Sequence, residues 1–159
     1  MKIDDLGIYD KKVVSFDFHG TIIERHYHHK SYDIEKSTYL NRPVFDIFRR
    51  CLDKGIKTYI ISFESINGSG DKGVANNLKI LKKYGVDFPK ENIFCTEFKS
   101  KDAWFEDLKV QFHVDDDIGV CLLAEQMGIP TLLVDYNDSP VSNLFNRINL
   151  NGKIFEGKL

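Results

Sequence analysis

Acidic side chains follow two apolar segments that lie far apart along this chain. The first segment, residues 13–16, ends at Asp17, and the second, residues 112–114, ends at Asp115 and Asp116. Open α/β sheets place their ligand sites at the carboxyl ends of strands, so these acids would meet if the two segments were neighbouring strands. Carboxylate oxygens are the ligands that Mg²⁺ prefers, and a bound cation lets a carboxylate approach an anionic phosphate ester. The two segments therefore predict a metal site that handles phosphate.

The elements that must position these acids are short apolar strands that alternate with amphipathic helices. This alternation predicts an α/β fold, with a three-layer, Rossmann-like parallel sheet that carries helices on both faces. The predicted strands are residues 12–17, 56–62, 92–98, 110–114 and 131–134. The predicted helices are residues 43–54, 74–84, 101–108 and 118–127, with a last helix over residues 139–148.

The chain of 159 residues fits one domain, residues 1–159. Residues 22–40 follow no clear period and are expected to form a flap beside the first strand. Residues 149–159 are expected to form a less ordered tail. The stretches that remain between strands and helices are too short for a separate cap domain, because chains below about 40 residues rarely fold alone.

The composition is that of a globular protein, and it argues against some classes of function. A net charge of −2 does not favour broad binding to nucleic acids or membranes by charge alone. No apolar run approaches the ~20 residues of a membrane span, and the first residues lack the apolar core of a signal peptide. The three cysteines are scattered, which indicates reduced thiols. We expect a cytoplasmic protein without a membrane partner.

These segments resemble the motifs of the haloacid dehalogenase superfamily, most of whose members are phosphatases. The family's first motif, a strand followed by Asp-x-Asp-Gly-Thr, stands here as residues 17–21, Asp-Phe-His-Gly-Thr. The second motif, a strand that ends in Ser or Thr, matches Ser62. The fourth, a strand that ends in two acids, matches Asp115 and Asp116. The resemblance covers residues 13–134 in the family's order and implies a member without a cap domain.

The family's third motif is a lysine near a helix start, which Lys101 fits best and Lys99 second. The resemblance implies that the Asp17 carboxylate attacks phosphorus and carries an acyl phosphate, which is later hydrolysed. The lysine would hold the phosphoryl oxygens that are not transferred and would contact Asp17. The chain is therefore expected to be a phosphomonoester hydrolase.

The resemblance also implies a Mg²⁺ cofactor and a set of phosphate ligands. The metal ligands would be the Asp17 side chain, the backbone carbonyl of His19, and Asp115 or Asp116. The phosphoryl oxygens would accept hydrogen bonds from Ser62 and from the backbone of Gly20 and Thr21. We group Phe63, the neighbour of Ser62, with these substrate-binding residues.

His19 departs from the family pattern, which has a second aspartate at this position. That aspartate protonates the leaving group and then activates water, so the change concerns proton transfer and not phosphate binding. Histidine side chains exchange protons near neutral pH, so His19 could serve as the acid and base itself. Alternatively, the phosphoenzyme could persist, or the site could only bind its ligand.

A site without a cap domain favours a large substrate or a second subunit that covers it. The candidate substrates are a nucleotide, a nucleic-acid end, a phosphoprotein or a phosphorylated metabolite. His26 and His28, in the expected flap, could contact phosphate, stack on a base or bind a transition metal. Other hypotheses remain open: a phosphate-binding or partner-binding relative with impaired catalysis, and a module that accepts a phosphoryl group on Asp17 for signalling. Dehalogenase chemistry is disfavoured because it needs no Mg²⁺ carboxylates.

Overall fold

The described part of this computed structural model, residues 1–25 and 39–158, contains seven strands and four α-helices. The strands are β1 (Val13–Phe16), β2 (Lys57–Ser62), β3 (Ile93–Cys95), β4 (His113–Asp115), β5 (Thr131–Val134), β6 (Arg147–Ile148) and β7 (Ile154–Phe155). The α-helices are α1 (Arg42–Asp53), α2 (Val74–Lys83), α3 (Asp102–Asp107) and α4 (Ile118–Gln126). Short 3₁₀ helices cover Ile3–Leu6, Ile8–Asp10, Lys90–Asn92 and Ser142–Leu144.

The strands form one sheet in the order β3-β2-β1-β4-β5-β6-β7. The first six strands in this order are parallel to their neighbours, and β7 is antiparallel to β6. Helices cover both faces of the sheet. Successive side chains of β2 point to opposite faces and so contact different helices. Ile60 belongs to a core that α1 and α2 close, whereas Tyr59 and Ile61 contact a second core that includes Phe105 of α3 and Ala124 of α4. The predicted three-layer, Rossmann-like α/β fold is confirmed.

The register of the central strands brings the candidate acids to one edge of the sheet. Phe16 of β1 lies beside Val114 of β4, and the backbone N–H of Asp17 donates to the Val114 carbonyl oxygen at 2.9 Å. On the other side of β1, Phe16 pairs with Ile60, two residues before the end of β2. The carboxyl ends of β1, β2 and β4 therefore meet at the same place. Among the residues with described positions, no helix is both long and apolar enough to cross a membrane.

The last predicted helix is wrong, and part of the tail that was expected to be less ordered forms a strand. Of residues 139–148, only Ser142–Leu144 forms a single 3₁₀ turn, and Arg147–Ile148 is the strand β6. The Ser142 hydroxyl donates to the carbonyl oxygen of Ser139 at 2.7 Å and contacts Asp135 at 2.9 Å, which competes with the hydrogen bonds of a longer helix. The following segment turns back and pairs β7 with β6. The tail is thereby tied into the sheet up to β7.

Candidate active site

Three aspartate side chains converge at the carboxyl ends of β1 and β4. Asp17 follows β1, Asp115 is the last residue of β4, and Asp116 comes next. One carboxylate oxygen from each lies within 4.8 Å of the others, and Asp17 and Asp115 are buried. Neighbouring ligands around a bound Mg²⁺ lie about 3 Å apart, since each stands ~2.1 Å from the ion. The cluster could therefore hold a metal ion, and its oxygen donors suit a hard divalent cation.

Lys101 lies between two of these acids. Its ammonium Nζ is 3.0 Å from Asp17 Oδ1 and 2.7 Å from Asp115 Oδ2, and only 2% of the residue is exposed. Burial alone would lower the lysine pKa, but the charges of Asp115 and Asp17 raise it above its usual value. Lys99, the other candidate, is exposed. The structure thus places a permanent cation from Lys101 beside the predicted nucleophile.

Among the residues that the structure describes, the three aspartates outnumber the cations that contact them. Burial and then the charge of Asp115 raise the pKa of Asp17, against the effect of Lys101. Burial and the charges of Asp17 and Asp115 raise the pKa of Asp116 to about 8, although Arg25 opposes this. The Arg25 guanidinium donates from Nε to Asp116 Oδ2 at 2.7 Å. Three carboxylates face the two cations Lys101 and Arg25, and a divalent cation would offset the excess.

A buried histidine, which the sequence analysis did not select, anchors Asp115. His113 lies 2.8 Å from Asp115 Oδ2 through Nε2, and 2.7 Å from the Ser15 hydroxyl through Nδ1. Burial would raise the pKa of Asp115, but Lys101 and then His113 hold it below its usual range. The signal in the sequence was a polar residue, His113, within an otherwise apolar segment, and the structure adds that His113 pairs with another polar residue, Ser15, on β1.

His19 lies between two acidic side chains, Glu64 and Asp71, which the sequence analysis did not select. Its Nε2 is 2.8 Å from Glu64 Oε2, and its Nδ1 is 3.8 Å from Asp71 Oδ2. Glu64 is buried just beyond the end of β2, and the Ser62 hydroxyl donates to its Oε2 at 2.5 Å. The Gly73 backbone N–H and the amide of Asn77 donate to its other oxygen. The ring of His19 is therefore held by a carboxylate that β2 and α2 fix together.

These contacts make folding stability depend on the charge of Glu64. Burial would raise the pKa of Glu64. The hydrogen bond and the charge of His19, together with the hydrogen bonds from Ser62 and Gly73, instead lower this pKa to about 2. The unfolded value is about 4.3, so the ionised side chain stabilises the fold above pH ~4.3, and this contribution is lost as the pH falls toward 2.

We expect Glu64→Gln to lower the free energy of unfolding by roughly 3 kcal/mol at pH 6 and by much less near pH 2. Urea denaturation across this pH range measures the difference. Glu91→Gln changes an exposed glutamate in the 3₁₀ turn before β3 and serves as the matched control, which should follow the wild-type profile. A constant difference between the Glu64 variant and the wild type at all pH values would contradict the assigned charge.

A cavity of about 470 Å³ opens over the acids, and the predicted site residues differ in their relation to it. The residues from the sequence analysis that line it are Asp17, His19, Ser62, Phe63, Lys101, Asp115 and Asp116. Thr21 does not line it: its backbone N–H donates to the Phe18 carbonyl oxygen at 3.2 Å, and its hydroxyl donates to Asp17 Oδ2 at 3.2 Å. Thr21 thus supports the Asp17 carboxylate from the core side. His26 and His28 lie outside the described residues.

Gly20 lies against the aspartate cluster in a conformation that favours glycine. Its φ is +81°, and its carbonyl oxygen accepts a hydrogen bond from the Tyr136 hydroxyl at 2.8 Å. A Cβ atom at this position would overlap the Asp116 carboxylate. The close approach of this turn to Asp116 therefore requires a residue without a side chain.

Gly20→Ala should displace Asp116 and weaken the affinity of the three aspartates for a divalent cation, with Mg²⁺ as the probe, by roughly 10-fold or more. Its positive φ should add a destabilisation of ~1–2 kcal/mol. Gly128→Ala is a matched control, since its φ is +80° but its Cβ would meet nothing within 4 Å. Calorimetric titration with Mg²⁺ and urea denaturation separate the two effects. Equal Mg²⁺ affinity in both variants would contradict the role of Gly20 beside Asp116.

Comparison with known proteins supports the fold but does not identify a reaction. Neither the protein-family models nor the curated proteins contain a match to this chain. Among solved structures, the chain is similar to a chain of the Pnkp1/Rnl/Hen1 complex, with a TM-score of 0.56 and 18% sequence identity. The similarity covers 80% of this chain and 47% of that one, so this chain spans about half of that chain's length. At this identity the similarity shows a shared fold alone.

Proposed function

We propose that the protein is a Mg²⁺-dependent phosphomonoester hydrolase that forms an aspartyl phosphate on Asp17. The observation that carries the proposal is the buried Lys101 ammonium, which contacts both Asp17 and Asp115 at the base of the cavity. A carboxylate at the base of a cavity, beside a fixed cation and two further acids, is suited to attack a phosphate ester once its charge is offset. The sequence motifs at residues 17–21 and 115–116 agree with this assignment.

The cation would complete the electrostatics of the site. Mg²⁺ would be bound by Asp17, by Asp116 or Asp115, and by the His19 carbonyl, and it would neutralise negative charge on the phosphoryl group. Lys101 contributes a second positive charge, fixed by its two carboxylate contacts. Ser62 lines the cavity and can donate its hydroxyl proton to a phosphoryl oxygen by turning from Glu64.

The reaction would proceed in two displacements at phosphorus. An Asp17 carboxylate oxygen forms a bond to phosphorus as the bond to the leaving oxygen breaks, and His19 gives the proton of Nδ1, the ring nitrogen other than the one that contacts Glu64, to that oxygen. His19 then takes a proton from water, whose oxygen attacks phosphorus as the bond to Asp17 breaks and phosphate leaves. Glu64 holds the His19 ring and gives its protonated form a counter-charge at 2.8 Å.

Turnover of p-nitrophenyl phosphate with Mg²⁺, and with EDTA in place of Mg²⁺, tests the proposal. We expect steady release of p-nitrophenol that requires the metal. A single burst of one equivalent per protein, with a stable phosphoryl group on Asp17, would instead assign the chain to the stalled or phospho-acceptor class. Absence of both turnover and a burst would contradict the proposed hydrolase and favour the class that only binds its ligand.

A further inference from the structure

Two exposed phenylalanine rings stand in contact beside the cavity. Phe63 is 55% exposed and Phe98 is 59% exposed. Their ring centroids are 5.4 Å apart and their planes are inclined at 82°, an edge-to-face arrangement that leaves ring surface open to solvent. Phe63 also lines the cavity that contains Asp17 and Lys101. An exposed apolar patch at the edge of a cavity is typical of a surface that binds a ligand.

The backbone holds this ring pair in place at an energetic cost. Glu97 and Phe98 are consecutive residues with φ of +53° and +63°, a region that side chains other than glycine rarely adopt. The Glu97 N–H donates to the Glu64 carbonyl oxygen at 2.9 Å, and the Glu97 carboxylate accepts from the Ile66 N–H at 2.9 Å. The segment that presents Phe98 is therefore tied to the segment that carries Phe63. Strain retained in this way is common at ligand sites.

The cavity is larger and more apolar than a phosphoryl group needs. Its volume of about 470 Å³ lies within the usual ~300–1,000 Å³ of small-molecule sites. Val120 and Leu123 of α4 add apolar surface to the same cavity, and Lys72 and Ser100 add hydrogen-bond donors. The ligand should therefore combine a phosphate group, a flat apolar part and polar atoms between or around them.

We propose that Phe63 and Phe98 bind the base of a nucleoside monophosphate whose phosphate reaches Asp17. This inference rests on the proposed function, and it names the class of substrate. A nucleobase is flat enough to stack on a phenylalanine ring, and its edge and ribose offer acceptors to Lys72 and Ser100. A free mononucleotide is favoured over a nucleic-acid end because the chain has a net charge of −2, whereas polynucleotides are bound mainly through many phosphate contacts.

Binding to the Asp17→Asn variant tests this proposal without any requirement for turnover. Calorimetry in Mg²⁺ buffer would compare AMP and UMP with ribose 5-phosphate, which differs from them by the absence of the base. We expect the nucleotides to bind at least about 10-fold more tightly, since stacking of one base on an aromatic side chain is typically worth this much. Phe63→Ala and Phe98→Ala, each added to the Asp17→Asn background, should each reduce this preference by roughly 5-fold or more.

Leu144→Ala removes another exposed apolar side chain, outside the residues that line this cavity, and should keep the preference. Equal affinity for the nucleotides and ribose 5-phosphate, or a preference that survives both phenylalanine changes, would overturn the proposal. So would binding of a 5′-phosphorylated oligonucleotide or a phosphotyrosine peptide 10-fold more tightly than AMP and UMP. Phosphatase activity without a base preference would reject only this inference, and base-dependent binding without turnover would reject only the proposed reaction.

Discussion

Replacement of Asp17 by asparagine should reduce Mg²⁺-dependent turnover of p-nitrophenyl phosphate to the background rate. The amide cannot attack phosphorus as a carboxylate does, so the expected loss in kcat is at least about 10³-fold. The variant should fold, because burial and the charge of Asp115 already disfavour the ionised form of Asp17 in the native state. Initial rates with purified protein and urea denaturation in EDTA measure the two quantities.

The control for this variant is Asp53→Asn, which changes an exposed aspartate at the end of α1 and should retain full activity. Mass spectrometry after rapid quenching with acid should find a phosphoryl group on Asp17 of the wild type and none on the variant. Retention of more than about a tenth of the wild-type kcat by a folded Asp17→Asn protein would remove Asp17 from the role of nucleophile.

The sequence predicted the placement of the three aspartates because that placement depends on simple regularities. β1 and β4 are buried, so apolar residues lead up to the edge of the sheet, interrupted by Ser15 and His113, and the first acid marks where each strand meets that edge. Asp17 and Asp115 then approach each other because parallel strands that are neighbours end on the same side. This placement does not depend on the conformation of any loop.

The contacts of His19 and Asp115 could not be predicted in the same way. The pairing of His19 with Glu64 depends on the turn after β2 and on residues 66–73, which bring the Gly73 N–H back to the same carboxylate. The contact between His113 and Ser15 depends on the register of β1 against β4, which an apolar run leaves undetermined. These positions require the tertiary structure and not a local pattern.

The error in the last helix has a similar origin. The apolar spacing of residues 141–148 matches a helix, yet Val141 and Leu144 are exposed while Phe145 and Ile148 are buried. The edge of β5 offers hydrogen bonds to an additional strand: the N–H groups of Leu133 and Asp135 donate to the carbonyl oxygens of Asn146 and Ile148, and β6 pairs there with β5. Tertiary pairing therefore overrode a weak local preference.

Replacement of Lys101 by methionine is expected to produce the largest loss of folding stability among single changes at the site. Methionine keeps most of the side-chain volume but removes the cation that contacts Asp17 Oδ1 and Asp115 Oδ2. Breaking a buried ion pair from one side typically costs ~3–5 kcal/mol, because it leaves buried charge without compensation. Urea denaturation in EDTA should show this decrease in the free energy of unfolding, and turnover should fall to background because Asp17 and the phosphoryl group lose their fixed cation.

Two further variants decide whether charge or packing is responsible. Lys99→Met removes an exposed lysine two residues earlier and should change stability by less than about 0.5 kcal/mol. Combining Lys101→Met with Asp115→Asn removes a carboxylate together with the cation, so the double variant should regain at least about 1 kcal/mol relative to Lys101→Met alone. If the double variant is instead the less stable of the two, Lys101 acts mainly through its packing, and the argument that this lysine balances the carboxylates around Asp17 fails.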